Sequence, residues 1–373
     1  MKIAIIDTAV TGHHLEYIYG LCQEIIKKSD IEHDINLYCG EKLFNYIEEN
    51  SLQNLNEVSN LNIIVNELKH PEGGWIRQTK TAYENIKKLQ GYSKLIFLSM
   101  NVYFPALTLY SFFRENKTAI SGIYFNPFLR GKSSFKDLIR NLSFKILIKH
   151  FESIKIYVLN DDEVVSKLNN RFNTDIFDSL EDPVPTFFYQ DKLVDNKMRK
   201  KNIRFLMIGS LSKRKGVMEY LSAIKKSKSP YQHILAGKLD INIKKEVIQE
   251  LESMQNKGYD IKLIDSFLSI KEFTELIDIC DVLVMPYLSK GASSGILGHA
   301  SYRQKPVIGP NSGLLAEIIN NQKMGVCIDP KEINIFCSYL SSPEKIIERF
   351  SSEQAIFYYK NNSYENFYKK LIE

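Results

Sequence analysis

Short β-rich apolar runs alternate with helical segments from end to end, a proline-rich break falls near the middle, and the chain has 373 residues. Together these features predict an α/β protein of two doubly wound domains facing a central cleft. Such alternation calls for parallel sheets covered by helices on both faces. The length is long for one hydrophobic core and comfortable for two. Ligands of open parallel sheets sit beyond the carboxyl ends of the strands, so the loops after each strand are where chemistry is sought.

The first domain is predicted to span 1–186, with strands at Ile3–Asp7, Ile35–Cys39, Leu61–Asn66, Lys94–Met100, Ala119–Phe125 and Lys155–Leu159. Asp161-Asp162-Glu163 follows the last of these and reads as an N-cap with an acidic first turn, opening the helix VVSKLNNRF. Asp182-Pro183-Val184-Pro185 resists helix. The charged stretch after it has no sustained apolar period, which places a linker at 187–202. A second domain at 203–354 carries strands Arg204–Ile208, His233–Ala236, Asp260–Ile264, Val282–Pro286, Pro306–Ile308 and Val326–Ile328. In the tail, 355–373, Phe357, Tyr364, Phe367, Tyr368 and Leu371 share one helical face, predicting a C-terminal helix that crosses back to the N-terminal domain.

With 44% hydrophobic and 25% charged residues, the composition is that of an ordinary soluble globular protein. Five scattered cysteines without a Cys-x-x-Cys pair suggest neither a disulfide framework nor a zinc site. No apolar run approaches the ~20 residues of a membrane span, and the N-terminus reads as a strand rather than a signal peptide, so a cytoplasmic protein is expected. Residues 1–185 hold 21 Lys/Arg against 23 Asp/Glu, and residues 186–373 hold 28 against 21, so the second half carries the excess that would favour an anionic small ligand. No basic stripe with interleaved aromatics appears, which argues against nucleic acid. Segment 130–149 has six cations, one acid and an apolar stripe of Phe135, Leu138, Ile139, Leu142 and Ile146. That pattern suits peripheral contact with an anionic membrane, at the inner face for a cytoplasmic protein. The plainer reading, preferred for the stripe, turns those side chains toward the sheet.

Two loops carry the strongest functional signal. Gly291, Ala292, Ser293, Ser294 and Gly295 let backbone approach a ligand closely, and a helix beginning near Gly295 points unpaired N–H groups and its positive dipole end at a phosphate. The strand Arg204–Ile208 ends at Gly209-Ser210 and runs into Lys213-Arg214-Lys215-Gly216 before another helix, a cationic loop suited to a diphosphate. As bare composition, such a loop is more often just solvated; its place at a strand's carboxyl end favours a site.

Gly209-x-Leu211 with Lys215-Gly216, the strand-loop-helix around Gly237, Cys280 to Pro286, and Lys305-Pro306-Val307-Ile308 followed by Gly313 to Ile319 resemble, in that order and spacing, glycosyltransferase family 4, a GT-B group within the glycosyl transferases group 1. The resemblance covers 204–320 well and the first domain weakly. It implies two Rossmann-like domains and a metal-independent hexosyltransferase that moves a sugar, with retention, from a nucleotide diphospho-sugar to a glycan or lipid-linked acceptor in cell-surface polysaccharide synthesis. The donor is then a co-substrate and no cofactor is expected. Donor-binding roles fall on Gly209, Ser210, Arg214, Lys215, Gly237 and the backbone of Ser293, Ser294, Gly295, Ile296 and Leu297. Lys215 and Arg214 would stabilise the leaving diphosphate.

Departures from the family pattern are specific. Its Glu-x7-Glu element falls here on Gly291 and His299, and His299 stands where a glutamate normally binds the ribose hydroxyls; imidazole cannot do so bidentately. Ser210 replaces a frequent arginine. In the first domain, the loop Thr11 to Glu16 resembles the family's first glycine-rich loop, putting Gly12, His13 and His14 on the acceptor and sugar side, with His13 a catalytic candidate. Asn101 and Asn126 stand at the ends of the strands where many members place a histidine. Asn is also an ordinary turn residue. Two alternatives remain: a non-catalytic relative acting as a sugar-nucleotide-binding or partner subunit, and a sugar-nucleotide epimerase.

Overall fold

The chain divides into two units, 1–182 with 363–373, and 183–362. The structure, a computed structural model, describes residues 1–9, 14–28, 33–41, 44–45, 61–111, 118–125, 127, 129, 135–151, 153–189, 202–289, 291 and 293–373, with the side chains of 135–137 outside that description. Most of the expected linker, 190–201, lies outside the described residues, as do Gly12, His13 and Asn126.

The first unit is a seven-stranded sheet in the order β3-β2-β1-β4-β5-β6-β7. Its strands are β1 (Lys2–Asp7), β2 (Asp34–Cys39), β3 (Leu61–Val65), β4 (Lys94–Phe97), β5 (Ala119–Ile123), β6 (Ile154–Leu159) and β7 (Phe177–Leu180). All pairings are parallel; at the point where the order reverses, Ile3 faces Lys94 and Ile6 faces Phe97. β7 is a strand the sequence reading missed: only Phe177 and Leu180 of its four residues are buried, too little for an apolar pattern. The strand expected at Lys94–Met100 stops at Phe97, and Met100–Val102 forms a 3-10 turn. Asp161 caps its helix as expected, accepting from the Val164 N–H at 3.1 Å.

Helices α1 (His14–Lys27), α2 (Trp75–Lys88), α3 (Phe104–Ser111), α4 (Phe135–His150) and α5 (Asp162–Phe172) cover this sheet. The core joins Phe97, Phe104, Tyr124, Phe144 and Phe177, with Phe144 in edge-to-face contact with Phe104 and Phe177 at 4.9 and 5.2 Å. On α4, Phe144 and Leu147 are fully buried, whereas Leu138 and Leu142 are 63% and 60% exposed. The preferred expectation that the whole stripe faces the sheet is therefore corrected. Phe144, outside the stripe, anchors the helix and turns Leu138 and Leu142 outward.

The second unit has six parallel strands in the order β10-β9-β8-β11-β12-β13, the same winding as the first unit without a seventh strand. They are β8 (Arg204–Ile208), β9 (Gln232–Ala236), β10 (Ile261–Ile264), β11 (Val282–Val284), β12 (Val307–Pro310) and β13 (Gly325–Ile328). Successive β8 side chains enter opposite cores: Phe205 and Met207 join one, Leu206 and Ile208 the other. This explains a continuous apolar run instead of alternation. The helices include α6 (Val217–Ser227), α7 (Ile241–Gln255), α8 (Ile270–Ile279), α9 (Gly295–Tyr302), α10 (Leu314–Asn321), α11 (Ile333–Ser341) and the one-turn α12 (Glu344–Ile347).

The tail forms two helices where the aromatic stripe predicts one. α13 (Ser352–Asn361) packs on α9 in the second unit; α14 (Tyr364–Ile372), capped by Ser363, packs on α1 in the first. Tyr364 lies against Gly20, where a Cβ would come within 2.1 Å of its ring, and its hydroxyl donates to Glu16 O at 2.9 Å.

Candidate functional site

β8 and β11 are neighbours at the reversal of strand order in the second unit, with Phe205 opposite Val282 and Leu206 opposite Leu283. The loops leaving their carboxyl ends, 209–216 and the one that begins at 285–289, therefore emerge side by side, at the kind of switch point where doubly wound sheets hold ligands. Gly216 seals the pair. Its φ of 77° is left-handed, and a Cβ would stand 2.0 Å from Pro286 O, so only glycine permits this approach. The Leu288 N–H donates to Arg214 O at 2.9 Å, tying one loop to the other.

Lys215 reaches across this seam. Its Nζ donates to the Tyr287 hydroxyl at 2.8 Å and lies 4.2 Å from the centroid of that ring. The same hydroxyl is 3.3 Å from Ser294 Oγ. Ser294 precedes α9 and its side chain makes no capping bond to the first turn. The Lys215 cation and the amide-rich start of α9 thus converge on Tyr287, both able to meet one anion. The exposed Arg214 donates to Ser289 Oγ at 3.3 Å, and Ser210, in the same 209–216 loop, is exposed. Gly209 (φ 101°) brings the end of β8 within 3.2 Å of Ile296 Cδ1, measured from a Cβ position it lacks. Gly237 ends β9 with φ 133° against Gly209 O. Ile296 and Leu297 bury their side chains in the core, leaving their backbone as the part available at the helix start; Ser293 and Gly295 are partly exposed.

His299 is 2% exposed. Its Nδ1 lies 2.9 Å from the Tyr189 hydroxyl, and Phe273 packs edge-on against its ring at 4.8 Å. Arg303 stacks over Tyr189 and bonds Asp278 at 2.5 Å, completing a local aromatic and cationic cluster. The imidazole is thereby held as a packing element, a different setting from the open, ribose-facing one that its alignment implies.

In the first unit, Asp7 ends β1 with a fully buried carboxylate that accepts from His14 Nδ1 at 2.7 Å and from the Ala9 N–H at 3.1 Å. Such a bond fixes which ring nitrogen carries the proton and orients the imidazole. Asn101 clamps backbone, donating to Phe125 O and accepting from the Phe125 N–H, both at 2.8 Å. This ties the ends of two strands together and occupies both ends of its amide. A polar pocket of about 510 Å³ opens at the carboxyl ends of β1, β2 and β3, lined by Thr8, Glu41, Lys69, His70, Glu72 and Arg77 among others. His70 Nδ1 lies 3.2 Å from Thr8 Oγ1. Burial pushes the nearby Tyr103 hydroxyl up to about 12, so it stays protonated as a hydrogen-bond donor at neutral pH.

Sequence reasoning missed Asp7, Tyr287, His70 and Arg77. Asp7 and Tyr287 stand at strand ends, a signal that was available; the other two sit in a loop and a helix start with no motif around them.

Residues 190–342 match the family model described as glycosyl transferases group 1. No curated protein matches the chain in sequence. Among solved structures, the protein is similar to HepE of Anabaena, crystallised with UDP and glucose (12% identity, 99% of this chain and 98% of that one covered, TM-score 0.67). It is similar also to sucrose-phosphate synthase from Thermosynechococcus elongatus (13% identity, 99% and 96% covered, TM-score 0.69). A third similar structure is WaaG, a glycosyltransferase involved in lipopolysaccharide biosynthesis (13% identity, 99% and 98% covered, TM-score 0.64). These likenesses show the GT-B fold, two Rossmann-like domains, over essentially the whole chain.

Proposed function

We propose that the protein is a metal-independent hexosyltransferase that moves a sugar, with retention, from a nucleotide diphospho-sugar to a glycan or lipid-linked acceptor in cell-surface polysaccharide synthesis. The observation that carries this reading is the meeting of Lys215 and the start of α9 on Tyr287. It lies inside the segment that matches group 1 transferases. UDP and UDP-glucose in complexes of HepE support a nucleotide-sugar donor.

In this reading the bond from the anomeric carbon to the diphosphate oxygen breaks while one to an acceptor hydroxyl oxygen forms on the same face. The hydroxyl proton passes to the departing diphosphate. Negative charge grows on that leaving group, and Lys215, Arg214 and the amides at Ser294, Gly295 and Ile296 stabilise it from fixed positions, the electrostatic part of the barrier that preorganisation lowers. Asp7 holds His14 for a sugar or acceptor hydroxyl. Outward-facing Leu138 and Leu142 on α4, with exposed Lys145 and Lys149 further along it, support peripheral contact with an anionic membrane surface. No described helix is long and apolar enough to cross a membrane.

The enclosed His299 favours a second reading, a sugar-nucleotide-binding subunit without turnover, since neither Glu-x7-Glu carboxylate is present. Incubation with a panel of sugar nucleotides, following nucleoside diphosphate release, separates the possibilities. Release that depends on an acceptor supports transfer. Binding without release supports the inert subunit, and conversion to a new sugar nucleotide supports an epimerase.

A further inference from the structure

A second cavity of the first unit, about 790 Å³, lies between the starts of α2 and α3 and one flank of α4. Its volume is in the range of small-molecule sites, about 300–1,000 Å³. The walls are mainly apolar, formed by Trp75, Val102, Phe104, Pro105 and Ile139, and Arg140 is the charged side chain among the described lining residues. Arg140 also stands over the Tyr124 ring, 5.9 Å from its centroid. The floor is firm, because Asn101, which lines it, is the residue that clamps Phe125.

Trp75, in the cavity wall, is 59% exposed, and Ile76 beside it on α2 is 77% exposed. Scattered exposed hydrophobics need no explanation, whereas an exposed tryptophan in the wall of an apolar cavity marks a ligand surface. A glycan would call for converging polar groups, and those line the other pocket, around Glu41, His70, Glu72 and Arg77. An apolar chamber with one guanidinium fits an amphiphile: a hydrocarbon chain against Trp75, Phe104 and Ile139, and a phosphate group, bound bidentately, at Arg140.

We infer that this cavity binds the chain and phosphate of a lipid-phosphate acceptor, so that the hydroxyl that receives the sugar belongs to the head group of a phospholipid-type carrier and not to a free glycan. The inference rests on the transferase reading and narrows its acceptor class.

Trp75 is the single tryptophan of the chain, so its emission reports on this cavity alone. Farnesyl diphosphate, titrated below its micelle concentration, should shift that emission to shorter wavelength in a saturable way, and inorganic diphosphate should not. Ile139→Glu should weaken the response at least tenfold, and Arg140→Gln about tenfold. Leu142→Glu, outside the cavity, should leave it unchanged. Val102→Trp, which fills the chamber, supplies an independent block, read as lost calorimetric binding of the same probe, if Ile139→Glu fails to fold. An absent or unsaturable shift, an equal response to inorganic diphosphate, or undiminished affinity in both Ile139→Glu and Val102→Trp would overturn the inference. UDP titrated into the same preparation keeps the two readings apart. UDP binding without a farnesyl diphosphate response removes the lipid cavity alone. A farnesyl diphosphate response from a protein that turns over no donor keeps the binding site and removes its role as an acceptor site.

Discussion

Removing the Lys215 ammonium should weaken UDP binding about 30-fold. The nitrogen is held over Tyr287, 2.8 Å from its hydroxyl and 4.2 Å from its ring centroid, in the seam that Gly216 closes. An ammonium has three donors, so it can keep Tyr287 and still reach a phosphate oxygen. A hydrogen bond to a charged group contributes about 1.5–3 kcal/mol. Taking about 2 kcal/mol, at 1.4 kcal/mol per decade, gives the factor of about 30 for Lys215→Ala. Tyr287→Phe keeps the ring beneath the cation and loses only the hydroxyl that holds Lys215 and Ser294, a neutral hydrogen bond contributing about 1 kcal/mol, so a loss of about fivefold is expected. The two losses should combine to less than their product, because Tyr287 acts by placing Lys215. Isothermal calorimetry with UDP at low and at 0.5 M salt is the assay, and the Lys215→Ala deficit should shrink at high salt as a charge effect must. A Lys215→Ala protein that folds normally and binds UDP within twofold of the unchanged chain would refute the reasoning.

Three further outcomes are expected. Gly216→Ala should abolish measurable UDP binding, since a Cβ would stand 2.0 Å from Pro286 O and the left-handed φ of 77° costs a non-glycine residue about 1 kcal/mol before any clash; crystallography of the variant should show the 209–216 loop displaced. His233 is fully buried between Phe205 and Tyr220, and burial lowers its pKa to about 3. Its unfolded form binds a proton below about 6.5 and its folded form does not, so stability is full above that pH and falls as pH drops from about 6.5 toward 3, by up to about 1.4 kcal/mol per unit. Urea midpoints at pH 7 and pH 5 should differ accordingly, with the slope reduced in His233→Gln. Leu138→Asp/Leu142→Asp should cut co-sedimentation with anionic vesicles several-fold while leaving the thermal midpoint within about 2 °C, because both side chains are already in solvent.

Much of the fold was legible because each strand carries its own evidence. The β8 run RFLMI is apolar on both faces, as a central parallel strand must be, and Gly209 and Gly237 mark strand ends where only a left-handed backbone fits. The cationic loop and the small-residue loop were legible as separate phosphate-binding elements; that they meet was not, because Tyr287 joins them through a contact spanning 72 residues of sequence. Asp7 and His14 are likewise close only because α1 starts back toward the strand end. On α4, periodicity identified a stripe but could not say which side of it faced the sheet, and the decision fell to Phe144, an aromatic outside the stripe. The tail broke into two helices at Asn362-Ser363, where Ser363 caps a new helix and an apolar count detects nothing.

Tyr364 resting on Gly20 has a temporal consequence. The surface of α1 that receives it leaves the ribosome before the whole second unit, and its cover leaves after it. A nascent chain must carry that apolar face uncovered while the entire second unit is being synthesised, a state open to non-native association. An isolated first half expressed as 1–182 would inherit the same bare face permanently, and supplying 363–373 as a separate peptide is the natural way to heal it.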